Sequence, residues 1–154
     1  MARLEIDDFA QCDRQLEMLL DRKNVRRIVE AGARKDVEEW RSNITAARHV
    51  RTGSMLKNVR PAEYHEFLGG GEMSVYPQGN DGKGVGNAMK AFVINYGRKG
   101  RMVKTKRGDN RYIRDRFPGD KCITSKQTET ATEQAVKQAM QDESDRIIEE
   151  INNG

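Results

Sequence analysis

An α+β fold is predicted for this chain: a small antiparallel sheet packed against a long N-terminal helix and a C-terminal helix, with a protruding basic β-hairpin. Three observations predict it. Both ends of the sequence carry apolar residues at helical spacing, while the middle breaks into short β-forming runs punctuated by glycine. The length, 154 residues, suits a single domain spanning 1–154 that can bury a core without metal or disulfide support.

The first helical pattern covers about residues 8–20, where Phe9, Cys12, Leu16, Leu19 and Leu20 fall on one face. A longer one covers about 24–48. There Val25, Ile28, Val29, Gly32, Val37, Trp40 and Ile44 form the apolar stripe, Asn24 is the expected N-cap and Trp40 the expected core anchor. Pro61 followed by Ala-Glu-Tyr-His-Glu-Phe-Leu and then Gly69-Gly70-Gly71 reads as a short helix with proline at its first turn, a strand being the alternative. The sheet region, about 52–120, holds β-like runs at Met73–Tyr76, Ala91–Tyr96, Arg101–Lys106 and Arg111–Phe117. Between the last two, Arg107-Gly108-Asp109-Asn110 supplies turn residues, so a hairpin is expected over 99–117. The final helix is expected over about 129–151, from a capping box at Thr130 and Glu133 through Ala135, Val136, Ala139, Met140, Ile147, Ile148 and Ile151.

Chemistry finds little to stand on. A chain that is 36% hydrophobic and 34% charged points to long solvated faces or extensive subunit contacts, and its few aromatics advertise no base-stacking platform. The glycine-rich loop at 79–86 resembles a phosphate cradle only superficially. Pro77 and Gly84 occupy positions where a phosphate loop needs Gly and Ser or Thr, and Gly84-Val85-Gly86 lacks a third glycine, so a flexible surface loop is the expectation. His49 and His65 join no metal-ligand pattern, Ser54 lacks a nucleophile-elbow context, and Cys12 and Cys122 read as buried, reduced thiols. No catalytic residue, metal or cofactor is therefore assigned, and the chain is read as not an enzyme. No apolar run is long enough to span a membrane, and the polar, acidic start does not resemble a secretory signal; a soluble, unexported protein made in a cytoplasm is the expectation.

The charge distribution is the strongest functional signal. Between Arg98 and Lys121 the sequence holds ten Lys/Arg against three Asp, an excess of +7 in a protein whose total is +4. Lys99, Arg101, Lys104, Lys106, Arg107, Arg111, Arg114 and Arg116 suit phosphate neutralisation without base reading, with only Tyr112 and Phe117 interleaved. The bland alternative is a hairpin that pairs with the acidic C-terminal helix of a neighbouring subunit or is simply solvated.

Four phrases, in order, carry a resemblance: Val50-Arg51-Thr52-Gly53-Ser54-Met55-Leu56-Lys57-Asn58-Val59, Val75-Tyr76-Pro77-Gln78-Gly79, Asn87-Ala88-Met89-Lys90-Ala91-Phe92-Val93-Ile94-Asn95-Tyr96-Gly97-Arg98, and Pro118-Gly119-Asp120-Lys121-Cys122-Ile123. Over roughly residues 20–150 the chain resembles the neck and tail-completion proteins of long-tailed bacteriophages, the small head-tail joining or minor tail components. The resemblance implies an α+β structural subunit of the virion, arranged in a ring, six-fold by analogy, through whose lumen genomic double-stranded DNA passes. Its implied partners are copies of itself, the tail tube or tail terminator protein and the head-completion or connector proteins, with no membrane. Thr52, Gly53, Tyr76, Pro77, Gly79, Ala91, Phe92, Tyr96 and Gly97 are the motif residues, read as determinants of the fold; Gly53 suits a reversal that a Cβ would hinder, and Gly97 the end of a strand. The basic hairpin is longer than the family pattern requires, so its role in lining the lumen or gripping a neighbour is inferred from this sequence alone. A freestanding, sequence-independent DNA-binding protein using residues 98–121 is the alternative, and an assembly chaperone absent from the particle a third.

Overall fold

A computed structural model describes residues 6–48, 53–68, 70–97, 101–105, 107–113, 119 and 126–153, and its architecture is α+β. The elements in chain order are α1 (Ile6–Leu19), α2 (Arg22–Ala46), α3 (Ser54–Lys57), β1 (Val59–Pro61), β2 (His65–Phe67), β3 (Gly70–Glu72), β4 (Val75–Pro77), α4 (Asn87–Tyr96), β5 (Arg101–Lys104), β6 (Asn110–Ile113) and α5 (Lys126–Asn153). The strands form three two-stranded ladders, β1 with β4, β2 with β3 and β5 with β6. Two compact units emerge: one made of 1–36, 61–75 and 132–154, the other of 37–60 and 76–131.

In the first unit, α2 and α5 meet at Gly32. Gly32 is buried, and a Cβ built on it would fall 2.8 Å from Met140 Cγ and 3.3 Å from Val136 Cγ1, so these α5 side chains pack directly on its backbone. Ala31, Ala33 and Ile147 are buried with it. A charged clamp ties the same helices together. The Arg27 guanidinium donates to Glu150 at 2.8 and 2.9 Å and to Glu143 at 3.1 Å. Glu143 is only 8% exposed, so the clamp satisfies a carboxylate that burial would otherwise penalise. Hydrogen bonding from Arg27 holds the Glu150 carboxyl below its ordinary range. At the free end of α1, Gln15 donates to Asn152 of α5 at 2.6 Å, and the β2–β3 hairpin is held by Arg22 against Glu66 at 2.8 Å and by Arg26 over the Tyr64 ring at 5.6 Å.

Several expectations are corrected. Asp21, not Asn24, caps α2, its carboxylate accepting from Lys23 N at 3.2 Å; Asn24 instead donates to Met18 O at the end of α1. The segment after Pro61 holds strand β2, whose His65 and Phe67 pair with Glu72 and Gly70, rather than a helix. Ala91–Tyr96 lies in helix α4 rather than in a strand. Helix α5 starts four residues before Thr130, because Lys126-Gln127-Thr128-Glu129 contains no breaker, and Glu133 pairs with Lys137 at 2.7 Å instead of closing a capping box. Cys12 is exposed rather than buried, Leu16 and Leu20 beside it are 52% and 64% exposed, and Trp40 is only half-buried while Ile44 is wholly enclosed. Cys122 and His49 lie outside the described residues.

Truncating Ile147, which is 1% exposed, to alanine is expected to cost about 2–5 kcal/mol of stability, whereas Leu16→Ala changes it by about 0.5 kcal/mol or less. Urea denaturation of the two variants beside the wild type measures both.

Candidate functional site

The second unit is organised around a helix whose polar side faces inward. Along α4 the buried residues are Asn87, Ala91 and Asn95, at i, i+4 and i+8, while Met89, Phe92 and Tyr96 are exposed. This is why the segment reads as a strand: the periodicity of a surface helix is present with its polarity reversed. Gly97, at φ 80°, donates its N–H to Val93 O at 2.7 Å and so stops a helix, not a strand.

Asn87 is fully enclosed and joins three of the resemblance phrases. Its Nδ2 donates to Gln78 O at 2.8 Å, its backbone N–H donates to Gly79 O at 2.9 Å, and its Oδ1 accepts from Ser54 Oγ at 3.4 Å. Ser54 opens α3, reached through Gly53 in the left-handed region at φ 68°, where an L side chain is strained. Gln78 N–H in turn donates to Asn58 O at 2.9 Å, and Pro77 beside it is buried. The fourth phrase arrives at the other end of α4. A Cβ on Gly119, whose φ is +81°, would lie 2.5 Å from Gly97 N and from Tyr96 C and 2.7 Å from Asn95 O, so the two backbones touch where only glycine fits. Thr52 lies outside the described residues.

The glycine-rich loop lies on the surface, as expected, and is tied together by one carboxylate. Asp81 Oδ1 accepts from Lys83 N at 2.9 Å and Val85 N at 2.8 Å, and its Oδ2 pairs with Lys90 Nζ of α4 at 2.6 Å. The hydrogen bond from Lys90, with those from the loop amides, lowers the Asp81 carboxyl to about 2. Two of the amides that a phosphate would seek are therefore already engaged by a carboxylate. Asp81 and Lys90 were not legible as a pair in the sequence, although their nine-residue separation across a glycine loop that leads into a helix is the kind of spacing that allows one.

The hairpin forms with the antiparallel register Arg101↔Ile113, Met102↔Tyr112, Val103↔Arg111 and Lys104↔Asn110. Its loop is closed by Thr105 N donating to Asp109 O at 2.8 Å and Gly108 N donating to Thr105 O at 2.9 Å, a three-residue connection with Gly108 at the left-handed position. The turn is thus two residues earlier than Arg107–Asn110. By period-two alternation, positions 101 and 111 share one side of the ladder and position 104 falls on the other. Lys104 and the loop residue Arg107 are exposed. Lys99, Lys106, Arg114 and Arg116 lie outside the described residues.

Of the remaining motif residues, Ala91 is buried at 4% exposure, but Tyr76, Phe92 and Tyr96 reach 41%, 58% and 56%, so the last three are not core determinants. The Phe92 and Tyr96 rings stand 4.8 Å apart, centroid to centroid. Among the described residues no cluster of His, Cys, Asp or Glu is placed to hold a metal ion, and no helix is long and apolar enough to cross a membrane. Comparison with family models, curated proteins and solved structures found no match.

Two outcomes follow from this polar network. Asn87→Ala removes a fully enclosed amide and its hydrogen bond to Gln78 O and is expected to cost about 1–3 kcal/mol, measured by chemical denaturation. Because folding lowers the Asp81 carboxyl from an ordinary 3.8 to about 2, its contribution is complete above pH 3.8 and fades as pH falls toward 2. Exchange rates of the Lys83 and Val85 amides are expected to rise over that interval in the wild type, with no such step in Asp81→Asn.

Proposed function

We propose that this chain is a non-catalytic structural subunit of the neck of a long-tailed bacteriophage, assembling into a ring that joins or completes the tail at the head-tail interface and lets the genome pass through its lumen. The observation that carries the reading is the meeting of the four resemblance phrases. Three converge on the enclosed Asn87 and the fourth touches the backbone at the end of α4, although the phrases begin at residues as far apart as 50 and 118. Residues that serve a scaffold would do this: among those described, the polar groups of Ser54, Gln78 and Asn87 are spent on one another.

On this reading the ring is made of copies of this chain, six by analogy, and it contacts the tail tube or tail terminator on one side and the head-completion or connector proteins on the other. The exposed Lys104 and Arg107 at the hairpin end meet either the phosphates of passing DNA or an acidic surface of a neighbouring subunit. The competing reading, a freestanding DNA-binding protein, requires the isolated monomer to bind duplexes with an affinity that falls steeply as salt rises.

Mass spectrometry of purified virions is expected to find the chain in a small fixed copy number, and negative-stain images of the phage neck labelled against it are expected to place it at the head-tail junction. Absence from mature particles overturns the reading in favour of an assembly chaperone. Reversing both Lys104 and Arg107 to Glu separates the two roles of the hairpin: rings survive if it faces DNA and are lost if it grips a neighbour.

A further inference from the structure

Helix α4 presents to solvent the side chains that an isolated subunit has most reason to hide. Met89, Phe92 and Tyr96 recur at i, i+3 and i+7 and are 61%, 58% and 56% exposed, with Val85 just before the helix at 44%. Its inward face is Asn87, Ala91 and Asn95. A helix that turns amides inward, satisfying at least Asn87 with three hydrogen bonds, and an aromatic pair outward is built to meet something apolar.

The first unit offers a surface of matching kind on a different part of the chain. Cys12, Leu16 and Leu20 recur at i, i+4 and i+8 along α1 and its last turn, all exposed, and Asp13 and Glu17 beside them are exposed as well. Charge distinguishes the two units sharply. The first contains 10 Lys/Arg against 17 Asp/Glu, a net −7, and the second 18 against 7, a net +11, together the +4 of the whole chain. Two copies brought together through like units repel, whereas the cationic unit of one attracts the anionic unit of another. Two different patches of opposite charge on one chain are what a head-to-tail contact uses, and such a contact closes into a ring when its rotation permits.

We propose that the occupant of the α4 face is a second copy of this chain, its α1 stripe of Cys12, Leu16 and Leu20 seated on Met89, Phe92 and Tyr96. The inference rests on the ring reading and supplies its subunit contact. Aromatic side chains enclosed at the centre of such a contact dominate its energy, and the acidic positions flanking the α1 stripe align the cationic unit opposite.

The test uses the full-length chain with Cys122→Ser and Met89→Cys, leaving Cys12 in place, treated with a short bis-maleimide. The expected product is a ladder extending past the dimer that disappears on adding Cys12→Ser, because each copy contributes Cys12 to one neighbour and the residue-89 thiol to the other. Cross-linking through position 89 alone, stopping at the dimer, overturns the proposal in favour of a two-fold α4–α4 contact. Sedimentation supplies a second arm. Phe92→Ser with Tyr96→Ser, at positions too exposed to disturb the fold, is expected to raise the dissociation constant on the order of a hundredfold. A wild type that stays monomeric at its highest soluble concentration, or an oligomer indifferent to the double substitution, overturns the α4 contact. Presence in virions is read separately, so the ring reading stands or falls on its own measurement.

Discussion

An amide that has lost every contact with water must find its partners inside the protein, and Asn87 is such a group. Its donors and acceptor reach Gln78, Gly79 and Ser54, which fixes two separate stretches of chain to the first turn of α4. The rest of the second unit follows from that anchorage. With Asn87, Ala91 and Asn95 turned inward, the aromatic residues of the same helix have no choice but to face out, and the Asp81–Lys90 pair then closes the preceding loop onto the helix. A buried amide of this kind, in a unit that also buries Ile44, Met55 and Val59, specifies one arrangement more strictly than apolar packing alone, since another register leaves its amide unpaired.

The first unit solves its packing differently. Gly32 receives the Met140 and Val136 side chains of α5, and Arg27 bridges two carboxylates, one of them nearly enclosed. One unit therefore relies on apolar packing with an Arg27 clasp between its helices, and the other on a buried amide together with the Asp81–Lys90 pair. Their opposite net charges suit them to meet different surfaces. For the proposed ring, this division lets one chain supply both halves of a contact that repeats around the circle.

Much of this was readable from sequence and some of it was not, for reasons that particular residues make plain. Helices α2 and α5 were legible because Val25, Ile28 and Val29, or Ile147, Ile148 and Ile151, recur at the period of a helix buried on one side. The hairpin was legible from its glycine and flanking β-formers, though the loop lies two residues earlier. Helix α4 was not, because Phe92-Val93-Ile94 looks like a strand when the inward positions are asparagines. Helix starts were displaced because Asn24 and Thr130 have the chemistry of caps, while the first cap is Asp21 and the Lys126-Gln127-Thr128-Glu129 stretch of α5 contains no breaker. The candidate cations were visible as a group, but not their division between the two faces of the ladder, which depends on register.

The β5–β6 finger is closed by its own ladder and by the Thr105–Asp109 and Thr105–Gly108 bonds, all local to it. Its length is thereby separable from the scaffold: adding or deleting residues in cross-strand pairs would change its reach while preserving the alternation of faces and the loop geometry. A lineage facing a wider channel or a more distant neighbour has in this finger an adjustable ruler, one that selection can extend without revisiting a single enclosed amide.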